Sequence, residues 1–139
     1  MLVVPIIGNG FLQEVVRTSF RVLPPVMHLF VNDVIPDLSS HFGTFAEASY
    51  PGYAPQNTSW PNPPPNPDFP YLYFRGDPLT FQPTSSLTTR TRIYGYFVTA
   101  FVGTIVLWAE RFPVRVFFED SRDGVVVIPK FGCLSEFSG

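Results

Sequence analysis

IYGYFVTAFVGTIVLWAERF, residues 93–112, decides the fold. It carries no charge from Ile93 through Ala109, which suggests a membrane span. Length and texture argue against one. A spanning helix needs roughly 20 apolar residues, whereas this run is shorter and is interrupted by Gly95 and Gly103. β-Branched and aromatic residues crowd it (Ile93, Tyr94, Tyr96, Phe97, Val98, Ile105, Val106, Trp108), and such side chains favour strands. A turn at Val102-Gly103 divides it into two strand lengths, which predicts a β-hairpin buried in a core. Charge and proline return at Glu110-Arg111-Phe112-Pro113, where the hairpin is expected to end.

Outward from the hairpin, short strands alternate with proline and glycine turns. Strands are expected at Val26–Val31, Tyr71–Phe74, Leu79–Gln82, Val114–Phe118 and from Val125 to Pro129, the last continuing toward Leu134. Ser85–Thr91 reads as a loop or a solvent-facing strand. Near the start, Phe11, Leu12, Val15, Val16 and Phe20 have helical spacing, and Pro24-Pro25 stops the pattern. A strand over Ser19–Leu23 is the alternative. Six to eight short strands point to a mainly β, single-domain sandwich or jelly roll spanning 1–139. Residues 1–25 form an N-terminal arm or short helix in this scheme.

Composition supports the same class. Aromatic residues reach 17% with 15 Phe, and 16 prolines oppose long helices, since an interior Pro costs about 3 kcal/mol. Charged residues make up only 14%, against an average of about 25%. A net charge of −2, with Lys130 the only lysine, argues against a nucleic-acid partner. Cys133 is the single cysteine, so no internal disulfide and no cysteine-based zinc site is expected. The apolar start MLVVPIIGNGF lacks a basic leader region, and Asn57-Thr58-Ser59 reads as a loop sequence rather than a glycosylated site. These features predict a chain made in a cytoplasm, with no membrane partner.

Catalytic chemistry finds little footing. The acidic residues of 119–123 lack the alternating ligands and closing Glu of a calcium loop, so a solvated turn is expected. His28 and His41 have no matching acidic or cysteine spacing and read as structural histidines. Glu110 and Arg111 read as an acid with its electrostatic partner, or equally as a salt bridge or a subunit contact. No metal, cofactor or catalytic residue is therefore assigned. A candidate interface is built instead from Trp60, Tyr50, Tyr53, Tyr71 and Tyr73, because such side chains join a large apolar body to a polar handle. The run PNPPPNPDFP at 61–70, including Pro63, Pro64 and Pro65, reads as a stiff surface loop, with a docking peptide as the alternative.

Two stretches carry a resemblance: HLFVNDVIPDLSSHFGTFAEASYPGYAPQ at 28–56, and IYGYFVT, LWAERF and IPKF within 93–131. They resemble a family of small, mostly uncharacterised proteins encoded by tailed bacteriophages. The resemblance covers about the last four-fifths of the chain, and its motifs are turn glycines, strand aromatics and one charge pair. The proline run at 61–70 and the apolar start depart from it. It implies a virion structural protein, with a capsid decoration or cement protein on the major capsid protein as the leading expectation. Copies would form a closed oligomer such as a trimer, with arms at 1–10 and 61–70 reaching across neighbours. A tail, neck or fibre module that binds a glycan is the second expectation. A wall hydrolase using Glu110 and Asp120 is the third.

Overall fold

The computed structural model describes residues 15, 18–60 and 71–134, with backbone pairing alone for 71–74 and 131–134. The arm at 1–10 and the proline run at 61–70 lie outside the described residues. Among the described residues eight strands follow in order: β1 (Val26–Phe30), β2 (Gln56–Asn57), β3 (Tyr71–Arg75), β4 (Leu79–Phe81), β5 (Thr91–Thr99), β6 (Val106–Phe118), β7 (Val125–Val127) and β8 (Lys130–Leu134). All pairings are antiparallel, and the fold is mainly β and sandwich-like. Residues 18–22 are helical, so the strand alternative for Ser19–Leu23 does not occur. No helix among the described residues is long and apolar enough to cross a membrane.

The hairpin of 93–112 forms as β5 and β6, the centre and edge of a four-stranded sheet ordered β2-β1-β5-β6. Chain segments 71–81 and 125–134 run alongside each other as a ribbon, first as β3–β8 and then as β4–β7. The ribbon breaks where Gly76 donates its N–H to the Pro129 carbonyl at 2.8 Å. One final strand was expected from Val125 onward. Pro129 has no N–H to give the ladder, and the strand divides there.

Both faces of the large sheet are covered, which is why β5 reads as an apolar run instead of an alternation. On one face Met27, Leu29, Ile93, Val98 and Phe118 pack with Phe81 and Val127 of the ribbon. On the other, Phe30 and Phe97 meet Phe45 from the loop after β1, with the Phe45 and Phe97 rings stacked at 4.7 Å.

β6 corrects the expected end of the hairpin. It runs unbroken through Pro113 and absorbs the predicted Val114–Phe118 strand. Its register jumps from Ile93↔Val116 to Gly95↔Arg111, so two steps along β5 match five along β6. Pro113 lies in that excess. An odd excess exchanges faces on one strand, and here β5 turns: Ile93 and Tyr96 share one core while Tyr94 and Phe97 share the other. Gly95 sits at the crossover. A Cβ there would collide with the Glu110 carbonyl and lie 2.8 Å from the Phe30 ring.

Candidate functional site

The connection between β5 and β6 is built from apolar residues where a turn is ordinarily polar. Ala100 donates its N–H to the Ile105 carbonyl at 3.0 Å and closes it. Gly103 takes φ +96°, a left-handed conformation that glycine adopts without steric cost. The side chains around it face outward: Val102 is 77% and Ile105 67% exposed, with Phe101 and Leu107 also exposed.

A groove of about 280 Å³ lies between this tip and the segment 19–25, walled by Phe20, Leu23, Phe101 and Leu107. A second, of about 490 Å³, runs between residues 36–40 and Val106–Ala109 of β6. Leu107 lines both grooves and joins them. Leu38, wholly exposed, belongs to the lining of the second groove. The first groove has no charged residue in its lining, and the second has only Asp37. The Asp37 carboxylate accepts from the Ser39 N–H and hydroxyl, which holds its pKa below the ordinary value. Leu23 of the first groove is exposed, as is Val22 before it in the chain. These side chains form an exposed, largely uncharged apolar tract among the described residues.

Part of the expected interface is interior. Trp60 is buried, donates to the Thr58 hydroxyl at 2.7 Å and packs on Phe20 and Trp108. Tyr50 is buried in the main core against Phe118. Tyr53 packs on the same core, and its hydroxyl donates to Glu47 at 2.8 Å. These three therefore do not form an exposed aromatic surface. Tyr71 and Tyr73 belong to β3, whose described features are its backbone pairs, and Pro63, Pro64 and Pro65 lie outside the described residues. The signal that would have found the tract was in the sequence: a hairpin turn written Phe-Val-Gly-Thr-Ile, with no Asn, Asp or Ser in it.

One set of side chains has the connectivity of an activated nucleophile. The Thr99 hydroxyl lies 2.9 Å from His28 Nε2, and His28 Nδ1 meets the Glu47 carboxylate. Hydroxyl, imidazole and carboxylate in that order is the triad arrangement. Burial decides against that use. Thr99 is 2% and His28 8% exposed, and the Phe97 ring lies stacked on the imidazole at 4.6 Å. No substrate carbonyl reaches a hydroxyl so enclosed. The set instead ties β1, β5 and the loop after β1 together, and the Leu29 N–H extends it by donating to the Tyr53 hydroxyl at 3.2 Å.

The remaining charged candidates separate. Glu110 and Arg111 do not pair with each other, because successive residues on a strand face opposite ways. Glu110 accepts from the Tyr96 hydroxyl at 2.7 Å, whereas Arg111 bridges to Asp33 and donates to the Val34 carbonyl. Asp120 is engaged by Arg122 and Asp123 by the backbone N–H groups of Glu119 and Asp120, so these carboxylates hold their own turn. Glu110 and Asp120 thus have separate partners. His41 shares contacts with Thr44 and Ser39 at the short 3₁₀ turn Phe42–Thr44. No group of three metal-ligating side chains occurs among the described residues. No family model, curated protein or solved structure matches the chain.

Proposed function

We propose that this chain is a non-enzymatic structural component of a tailed-phage virion, and that it acts as a capsid decoration or cement protein. The observation that carries this reading is the uncharged tract around Phe101, Val102, Ile105 and Leu107. Exposed apolar surface of this kind favours a chain whose working state is an assembly. Its action is adhesive: a rigid two-core β domain sits on the major capsid protein at the virion surface, as a closed homo-oligomer such as a trimer. Burying apolar area at about 25 cal/mol per Å² favours the decorated shell, less the ordering cost of docking. The phage resemblance of residues 28–56 and 93–131 supports the choice of a virion over other assemblies.

The test is co-sedimentation of the purified chain with expanded capsids of the phage that encodes it. Saturable binding at lattice stoichiometry is the expected result. A chain that stays in the supernatant overturns the reading.

A further inference from the structure

We infer that an arginine-bearing face of β5 and β6, at the end remote from their turn, is a receptor for carboxylate side chains of an acidic partner protein. The inference rests on the assembly reading above and names the chemistry of one contact in it.

Strand alternation defines the face. Val116 and Phe118 of β6 pack into the main core with Ile93, so Arg115 and Phe117 point to the opposite side, and Arg111 continues that series. Across the ladder Arg92 pairs with Phe117, and Tyr94 follows on the same side at the margin of the second core. Arg90, just before β5, lays its guanidinium over the Phe117 ring at 3.9 Å. Arg92 and Arg111 lie over the Tyr94 ring at 4.4 and 5.2 Å. Four of the chain's nine basic residues therefore share one face.

Their counter-ions are incomplete. Arg111 is matched by Asp33 and Arg90 by Glu119. Among the described residues the side chains of Arg92 and Arg115 have no ion pair. Arg92 Nε is buried without a hydrogen-bond acceptor, whereas its two terminal nitrogens are not buried. An arginine enclosed along its stem and held on a ring has lost its freedom before a ligand arrives, which lowers the cost of docking. The free edge of its planar fork matches a carboxylate in a bidentate pair.

The same geometry disfavours nucleic acid. Guanidinium groups lie on the Tyr94 and Phe117 rings, so these aromatics hold arginines instead of offering a platform to bases. With Asp33 and Glu119 set against the four arginines, the face keeps two positive charges in excess, although the chain as a whole carries −2. A small carboxylate cluster matches that excess, whereas a long polyphosphate meets repulsion from the rest of the surface.

The experiment is calorimetric titration of the purified full chain with a hexaglutamate peptide and, in parallel, with hexathymidylate. Saturable peptide binding that weakens with salt is expected. Arg92→Gln should weaken it about tenfold and the more exposed Arg115→Gln about threefold. Arg92→Lys keeps the charge and loses the fork, and should not restore binding. Arg122→Gln removes the same charge from the turn after β6, where Arg122 pairs with Asp120, and should leave binding unchanged. Circular dichroism checks the fold of each variant, and exposed Arg115 decides the matter if Arg92→Gln does not fold. No peptide binding overturns the inference, as does equal weakening by Arg122→Gln. Tighter binding of hexathymidylate than of the peptide would overturn it in favour of nucleic acid. Capsid binding undiminished in Arg92→Gln and Arg115→Gln would sink this inference alone. Peptide binding without capsid binding would sink the virion reading alone.

Discussion

At the residue scale, buried polar groups set how the chain responds to mutation and to pH. His28 is held by Glu47 and Thr99 and covered by Phe97, so removing it leaves the part-buried Glu47 carboxylate with the Tyr53 hydroxyl alone and opens a void between two aromatic rings. His28→Ala should cost about 2–4 kcal/mol in urea unfolding, and a loss within about 0.5 kcal/mol would contradict the clasp. Burial pushes the Tyr50 phenol from 10.0 up to about 12. Burial, then hydrogen bonding to Glu47 and Glu110 respectively, raises Tyr53 and Tyr96 above the ordinary tyrosine value too. The unfolded chain ionises these groups near pH 10.0 and so releases protons that the folded chain keeps. Stability is therefore whole below pH 10.0 and falls as the pH rises through the folded value of about 12 for Tyr50. Tyrosinate absorbance and loss of the far-ultraviolet β signal should rise together in an alkaline titration. Full ionisation near pH 10 with the fold intact would refute it.

At the element scale, the β5–β6 ladder places two neighbouring residues under opposite constraints. Gly95 has the Phe30 ring and the Glu110 carbonyl where a Cβ would stand, whereas Pro113 sits in the unpaired excess of β6 and withholds no ladder hydrogen bond. Gly95→Ala should destabilise by about 1–3 kcal/mol or more through overpacking, and Pro113→Ala should change stability by less than about 0.5 kcal/mol. Equal losses in denaturant midpoint would contradict the register. The same ladder shows what the sequence could and could not disclose. Ile93 to Trp108 announced a hairpin because strand-forming side chains flank a glycine turn. The passage of β6 through Pro113 was hidden, since proline ordinarily ends a strand and only tertiary pairing reveals a bulge that tolerates it. β2 was hidden as well: two residues, Gln56 and Asn57, carry no periodicity and pair only because Val26 and Met27 lie alongside.

At the scale of the whole molecule, aromatic residues had to be divided between core and surface. Composition alone could not do this. Trp60 and Tyr50 looked like interface residues by type, yet they fill the spaces beneath residue 20 and beside Phe118. The large apolar side chains left exposed at the hairpin tip are Phe101, Val102, Ile105 and Leu107 instead. The polar set at His28 was equally invisible, since Glu47 and Thr99 are far from it in sequence and meet it only through the pairing of β1 with β5 and the return of the loop after β1. A chain with such a tip and such a core is suited to assembly, and its abundance in the assembled particle is the direct test. Quantitative mass spectrometry of purified virions would give its copy number relative to the major capsid protein. A ratio near one chain per capsid subunit, or one trimer per lattice three-fold, is the predicted result. A handful of copies, or none, would contradict the decoration role.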